Sequence, residues 1–482
     1  MAGDRPLCGR APMRVVLALA LNAAVNFLIG LVVAHFLNPE EFGRFALTLA
    51  AGALLQLALF DWLRLAATRF HTSRSFAERP YLRATLDAGF LACASVVLCV
   101  AGLAVMGGVE LAGSAELLGL AAITAIVNGF FDYWLAIARA RFADRVFARM
   151  LLVKNLLATT ACLGAAWLTG SALFAVAGMV IAMGGSLLSV WGSLHDPKAR
   201  DLSPRLDIAG QALSYARPII AAALLAQAMA YVTRSLMAGH YGFGEAGHFS
   251  LAFDLGHRLF LTIAFGLDIL LFQVAVRAHE VNGADAARAQ ASQNALVVLA
   301  VMMPAAAGLW FVLPSLEVVL APQEFHGAFR RFFALSLPGL FCLALTISAI
   351  APFFQLARRT GPLLVAGLIG CASNAALLFY LPASAENLAL SLSVSFVIAA
   401  VWLLAQAVWL RLGQVSVTSV FEITVATGLM CLVLLPLRGL TPGPATLVAQ
   451  ILLGMAAYGL LVLILDIGGL RRALRIARTR PV

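Results

Sequence analysis

Residues 15–37 read VVLALALNAAVNFLIGLVVAHFL, an unbroken and almost wholly apolar run. A helix needs about 20 apolar residues to cross the hydrocarbon core of a bilayer. The apolar core of a signal peptide has only about 7–15 residues, and here many similar runs follow the first one. We therefore interpret this run as a first transmembrane helix that stays in the protein.

The composition of the whole chain agrees with a membrane protein. Its 482 residues are 62% hydrophobic and 12% charged, and the mean hydropathy is +0.94. Soluble domains carry about 25% charged residues. Only helices and closed barrels satisfy all their backbone polar groups in lipid, and a barrel strand would alternate over roughly ten residues. The continuous runs predict an all-α, polytopic membrane protein.

The apolar runs predict fourteen transmembrane helices. They cover residues 14–37, 44–66, 83–107, 115–138, 147–169, 171–194, 213–238, 247–276, 290–313, 333–356, 361–382, 386–410, 418–437 and 445–468. Only Thr169 and Gly170 separate predicted helices 5 and 6. The helices are numbered in this order below.

Basic residues predict the orientation of these helices, because lysine and arginine accumulate in cytosolic loops. With the N-terminus in the cytosol, most of the 33 basic residues, Lys154 among them, fall at cytosolic helix ends. Six do not: Arg44, Arg234, Arg258, Arg330, Arg331 and Arg438. This distribution predicts that both termini are cytosolic. It also accounts for the net charge of +10 without nucleic-acid binding.

An internal repeat predicts two lobes. Residues 41–47 and 245–251 both fit the pattern E-x-G-x-F-x-L, and each follows an odd-numbered helix. Six helices per unit give two units of the same orientation, a parallel repeat. The expected divisions are an N-terminal lobe at 1–194, a cytosolic linker at 195–212, a C-terminal lobe at 213–412, and two added helices with a basic tail at 413–482.

Two stretches carry a resemblance to a known family. The first contains LNPEEFG at residues 37–43 and DWLR at 61–64; the second, 244–259, contains G-x-F-x-L-A-x-D-L-x-x-R. They resemble the polysaccharide-exporting flippases of the multidrug/oligosaccharidyl-lipid/polysaccharide superfamily, whose fourteen helices match the whole chain. The resemblance implies translocation of a lipid-linked oligosaccharide, usually on undecaprenyl diphosphate, across the bacterial inner membrane by alternating access of two lobes.

The sequence departs from this family's pattern at two places. Relatives often carry Asp-Arg at the outer end of helix 7, where this chain has Thr233 and Arg234. Drug-exporting relatives often carry a coupling carboxylate in helix 1, where this chain offers only Asn22 and Asn26. The second departure disfavours cation-coupled drug export.

Ionisable residues in helices 7 and 8 are candidates for substrate binding. Each costs about 2.5–3.5 kcal/mol at the bilayer centre and needs an explanation. Asp254 and Arg258 lie one turn apart in helix 8. Arg258 either faces a cavity, where its planar fork suits a diphosphate, or pairs with Asp254. Arg234 in helix 7 either meets substrate or extends to the membrane surface.

Helices 1, 2 and 4 hold the other candidates. Asp61 and Arg64 in the inner third of helix 2 either capture a headgroup from the cytosolic leaflet or form a helix-end ion pair. Asp132 in helix 4 either pairs with a basic residue of another helix or titrates as a coupling site. Asn22 and Asn26 either bind sugar hydroxyls or hydrogen-bond neighbouring helices.

The leading hypothesis is therefore a flippase with a lipid-linked glycan as substrate, in contact with membrane lipids, beside the glycan polymerase and glycosyltransferases of its pathway. Drug efflux and flipping of the peptidoglycan precursor are alternatives. A membrane glycan polymerase or ligase is less favoured, because the outside loops lack a catalytic cluster; we predict no enzyme. The sequence contains no GxxxxGK[ST] phosphate loop, no HExxH and no CxxC pair, so we expect no cofactor and no metal site.

Overall fold

The structure is a computed structural model that describes residues 11–71, 78–200, 202–357, 359–413 and 415–465. Helices account for nearly all of these residues, and no strand occurs among them. The predicted all-α class is confirmed. The basic tail predicted beyond residue 468 lies outside the described residues.

The helices follow one another in chain order. They are α1 Ala11–Phe36, α2 Pro39–Leu59, α3 Asp61–Phe70, α4 Arg79–Met106, α5 Ala115–Ala140, α6 Asp144–Leu157, α7 Leu163–Thr169, α8 Ala172–Leu194, α9 Pro197–Arg200, α10 Leu206–Leu320, α11 Ala328–Leu345, α12 Ala351–Leu356, α13 Gly361–Tyr380, α14 Ala385–Trp409, α15 Val417–Leu434 and α16 Pro444–Leu465. A π turn at Ala158–Cys162 joins α6 to α7, and another at Thr346–Ile350 joins α11 to α12.

Two glycines divide α10 into membrane-sized segments. An uninterrupted helix of its 115 residues would be about 170 Å long at 1.5 Å per residue. Gly242 and Gly283, however, have φ angles of +88° and +84°, which an α-helix does not contain. Both lie where the sequence predicts loops, between helices 7 and 8 and between helices 8 and 9.

Among the described residues, thirteen helices are long and apolar enough to cross a membrane. One of them, Leu206–Gly283, has 78 residues and contains the left-handed Gly242. Counting its two parts separately gives the fourteen predicted crossings. The chain is a multi-pass helical membrane protein. The boundary between predicted helices 5 and 6 is also present, because Gly170 ends α7 in a left-handed conformation.

The single helix predicted at 44–66 is wrong at both ends. It begins earlier, because the Asn38 side chain caps α2 by accepting from the Glu41 amide at 2.9 Å. It ends earlier at Phe60, whose φ and ψ of −115° and −20° separate α2 from α3. Phe60 is only 1% exposed, and its side chain fills the space left by Gly129 of α5.

The described chain forms two compact units, residues 1–250 and 251–482. In unit 1 a large apolar core holds α3, α4, α5, α6 and α8 together, with aromatic contacts among Phe90, Phe130, Trp134 and Trp191. In unit 2, α11 and α14 meet closely where the Gly339 amide donates to Ser393 Oγ at 2.9 Å. The predicted lobe boundaries remain a prediction.

The two copies of the repeated segment contact each other inside unit 1. A Cβ atom added to Gly43 would meet the Phe243 carbonyl oxygen and lie 3.0 Å from the Gly247 amide nitrogen. A Cβ added to Gly247 would meet the Pro39 carbonyl oxygen and lie 3.0 Å from the Gly43 nitrogen. The contact is reciprocal, as a two-fold relation between the segments requires, and only glycine allows so close an approach.

Candidate functional site

A buried lysine organises the polar interior of unit 1. Lys154 of α6 is 4% exposed, and its Nζ donates to the Oδ1 atoms of Asn22 at 2.6 Å and Asn26 at 2.9 Å. The two asparagines are one helical turn apart, so their side chains point the same way from α1. In this structure they join α1 to α6, which is the helix-linking role considered for them.

Two carboxylates complete the group. Asp132 of α5 is half-buried, and its Oδ2 accepts from Gln56 Nε2 of α2 at 2.8 Å. Asp61 accepts two hydrogen bonds from Arg64, at 2.7 and 2.8 Å. Asp132 lies within electrostatic range of Arg64, Asp61 and Lys154. We call this set the lysine cluster: Asn22, Asn26, Gln56, Asp61, Arg64, Asp132 and Lys154.

Lys154, at the centre of the lysine cluster, lies well inside its helix. Lys154 comes ten residues after α6 begins at Asp144, about 15 Å along the helix axis, and the hydrocarbon core is about 30 Å thick. The structure thus places Lys154 away from the end of α6, although the sequence analysis counts it among the cytosolic helix ends. An ammonium at this depth needs partners, and the two asparagine oxygens supply them.

A local irregularity in the helix accompanies the lysine. The π turn Ala158–Cys162 starts one turn after Lys154, and single π turns are frequent at functional sites. The carbonyl of Asn155 accepts from Thr159 Oγ1 at 2.9 Å, which helps to satisfy the loosened backbone. The Asn155 side chain itself is 4% exposed and has no hydrogen-bond partner among the described residues.

Sequence reasoning missed Lys154 and Gln56 as site residues. Lys154 nevertheless carried a signal: it is one of only two lysines among the 33 basic residues, and it interrupts the apolar run MLLVKNLL at 150–157. Gln56 had no such distinguishing feature. Its role depends on Asp132, which lies 76 positions away in the chain.

The pair Asp61–Arg64 presents an accessible cation next to the cluster. Asp61 is the first residue of α3, where a carboxylate is favoured by the positive end of the helix dipole. The side chain of Asp61 is 7% exposed, whereas that of Arg64 is 44% exposed. The predicted ion pair is present, but on the separate helix α3 rather than within the span before it. The Arg64 guanidinium can still bind an anionic group that approaches the exposed side of the ion pair.

The three remaining candidates lie on α10. Arg234, in unit 1, is buried at 7% exposure, so it does not extend to the surface. Asp254 and Arg258 belong to unit 2 and are one turn apart; Asp254 is half-buried and Arg258 is exposed. Five of the eight predicted residues thus meet in the lysine cluster.

Comparison with known proteins gives the fold a name. No protein-family model and no curated protein matches the sequence. Among solved structures, the inward closed conformation of the lipid II flippase MurJ aligns with a TM-score of 0.72 at 16% identity, over 94% of this chain and 98% of that one. The chain has the fold of MurJ. At this identity the likeness establishes the fold alone.

The MATE transporters of the MOP superfamily are more distant neighbours. An inward-facing multidrug resistance MATE transporter aligns with a TM-score of 0.56 at 14% identity, over 84% of this chain and 99% of that one. An outward-facing one aligns at 0.51 and 15% identity, over 83% and 95%. The MurJ-like fold therefore covers more of this chain than the MATE-like fold does. The narrower resemblance to polysaccharide flippases stays a prediction.

Proposed function

We propose that this chain is a secondary transporter that flips a lipid-linked oligosaccharide from the cytosolic to the outer leaflet of the bacterial inner membrane, for polysaccharide biosynthesis. The observation that carries this proposal is the exposed position of Arg258, about 24 Å along the helix from the break at Gly242. A cation at membrane depth faces a polar space rather than lipid chains.

The chemistry of the available cations favours a phosphorylated lipid. Arginine stays charged at all physiological pH values and donates two parallel hydrogen bonds to phosphate. Arg258 and the outward face of Arg64 are both accessible. A diphosphate linking a glycan to an undecaprenyl chain is a suitable ligand, since its apolar tail can stay in the bilayer while the headgroup crosses by alternating access of the predicted lobes.

Flipping of a peptidoglycan precursor is the second candidate. It is supported by the alignment with a lipid II flippase over 94% of this chain. Both candidates share a diphosphate and differ in the sugars. Drug efflux is less favoured, because Asp132 is already engaged by Gln56 and surrounded by two cations, which opposes the capture of a cationic drug. The transporter-like fold also favours transport over polymerase or ligase activity.

A deletion strain tests the proposal. Lipid-linked repeat units should accumulate on the cytosolic face, and surface polysaccharide should be lost, whereas loss of the peptidoglycan precursor from the outer leaflet would support the second candidate. We expect glycosyltransferases and a glycan polymerase to be encoded beside the gene. Unchanged lipid-linked pools in the deletion strain would contradict both candidates.

Complementation of that strain tests the carrying observation. Arg258→Ala should abolish glycan export while the protein still reaches the membrane in normal amounts. The matched control is Arg277→Ala, because Arg277 is an exposed arginine of the same helix that the orientation assigns to the cytosolic side. Normal export by a well-expressed Arg258→Ala protein would remove Arg258 from the mechanism.

A further inference from the structure

Unit 1 contains a second buried polar site, separate from the lysine cluster. A partly open cavity of about 20 Å³ lies between α3, α4, α5 and the segment after α8. Its polar lining consists of His71, Arg79, Arg83, Arg141 and Asp196, which we call the arginine pocket. All five belong to the side of the protein that the orientation assigns to the cytosol.

Both aspartates near this pocket already accept hydrogen bonds from protein side chains. Arg83 Nε donates to Asp87 Oδ2 at 2.9 Å, and the Tyr133 hydroxyl donates to the other oxygen of Asp87 at 2.8 Å. Arg141 Nη2 donates to Asp196 Oδ2 at 3.0 Å. Among the described residues around the pocket, three arginines stand against two aspartates, which is an excess of one positive charge.

Two nitrogens at the pocket have no hydrogen-bond partner among the described residues. They are Nη1 of Arg83 and Nδ1 of His71, and both atoms are buried. Arg83 is only 7% exposed, and its guanidinium is fixed over the Tyr133 ring at 5.0 Å. Leaving a buried donor unsatisfied costs about 1–3 kcal/mol, and more for a charged one. Both residues line the cavity, so an oxygen atom inside it is the partner that we consider for each nitrogen.

The electrostatics select an anionic oxygen. Burial lowers the pKa of His71, and the charges of Arg79, Arg141 and Arg83 lower it further, against the opposing effect of Asp196. His71 is therefore neutral at pH 7 and free to donate or accept through Nδ1. A cavity of about 20 Å³ admits one water-sized group, so a single oxygen enters while the rest of the ligand stays at the mouth.

We propose that the arginine pocket binds one oxygen of a phosphate group, which bridges Arg83 and His71 and ties α3, α4 and α5 to the segment after α8. The phosphate belongs either to the headgroup of an anionic phospholipid or to free phosphate. At a cytosolic membrane interface the lipid source is close at hand, because anionic headgroups and basic side chains attract each other there.

The test uses the full-length protein and two probes. In detergent, inorganic phosphate is compared with chloride at equal ionic strength by its effect on the apparent melting temperature. In nanodiscs, retention of phosphatidylglycerol is compared with that of phosphatidylcholine by native mass spectrometry. Stabilisation by free phosphate identifies a soluble ligand, and selective retention of one phosphatidylglycerol identifies a headgroup.

Substitutions test whether either result depends on the arginine pocket. Arg79→Gln and His71→Ala should each weaken binding of the phosphate group about tenfold. This is the loss expected when one hydrogen bond or charge contact of about 1.4 kcal/mol is removed. Arg139→Gln is the matched control, because it removes an exposed arginine of α5 that does not line the cavity. Arg83 itself is kept, since its loss would leave Asp87 without its ion-pair partner.

A third readout separates binding from a structural role. Bound phosphate should raise the pKa of His71, which the histidine ring resonances report in a pH titration with and without the ligand. The proposal is overturned if neither probe binds in preference to its reference, or if Arg79→Gln, His71→Ala and Arg139→Gln all bind like the natural protein.

Discussion

The lysine cluster and the arginine pocket are both charged sites within unit 1, but they differ in whether every charged group has a hydrogen-bond partner. In the lysine cluster, each charged group has a partner in the protein: Lys154 with two asparagines, Asp132 with Gln56, and Asp61 with Arg64. In the arginine pocket, two nitrogens are left over. A closed network positions helices, whereas an open one of net positive charge recruits a ligand. The predictions below test that difference.

The largest expected effect comes from opening the closed cluster. Lys154→Met keeps the side-chain volume but leaves the oxygens of Asn22 and Asn26 without their donor and removes one of the two cations near Asp132. Losing two charged hydrogen bonds inside the protein should destabilise the fold by about 3 kcal/mol. Thermal unfolding of the purified protein measures this. Arg149→Met, at an exposed position of the same helix, should leave the unfolding temperature unchanged.

A double substitution tests whether Lys154 and Asp132 interact. If Lys154 and Asp132 balance each other's charge, then adding Asp132→Asn to Lys154→Met should restore about 1 kcal/mol relative to the sum of the two single effects. The four proteins of this cycle are compared under one set of conditions. Strictly additive effects would mean that the two residues do not interact and that the cluster is not one unit.

A smaller effect is expected from pH at the arginine pocket. The folded-state pKa of His71 lies below its ordinary value because of burial and neighbouring arginines, so the unfolded chain binds a proton more readily. Stability related to His71 is therefore complete above about pH 6.5 and is lost as the pH falls toward the folded-state value. His71→Gln should flatten this part of the stability curve. An unchanged curve would show that His71 does not contribute.

The smallest effect should come from Arg79→Gln in protein freed of phosphate and anionic lipid. Removing one of the three arginine charges relieves repulsion in the pocket, and this gain offsets the contacts that are lost. The free energy of unfolding should therefore change by about 0.5 kcal/mol or less. Thermal unfolding in a phosphate-free zwitterionic detergent measures it. A loss of stability as large as that caused by Lys154→Met would show that the pocket is a closed structural network. The proposed difference between the two sites would then be contradicted.

The sequence predicted the membrane architecture well because hydropathy and glycine act locally. Fourteen crossings follow from the apolar runs, and Gly242 and Gly283 lie within predicted loops. The error at residues 44–66 arose from a tertiary contact: Phe60 leaves the helix to pack against Gly129 of another helix. No periodicity along the chain reports such a contact.

The site was less predictable because its bonds join distant parts of the chain. The ion pair Asp61–Arg64 could be predicted from the sequence, since the two residues are three positions apart. The bonds from Lys154 to Asn22 and Asn26 span 132 and 128 positions, and a count of basic residues had assigned this lysine to the cytosolic side. The unpartnered nitrogens of Arg83 and His71 likewise appear only once their surroundings are known.

The most direct test of the transport proposal is a flipping measurement with purified components. The protein is reconstituted into vesicles that contain an undecaprenyl-diphosphate-linked oligosaccharide, and an impermeant sugar-oxidising reagent reports how fast the glycan changes leaflets. We predict rapid exchange with the natural protein and with Arg277→Ala, and exchange at the protein-free rate with Arg258→Ala. Exchange at the protein-free rate with the natural protein, or equal exchange with Arg258→Ala, would contradict the account.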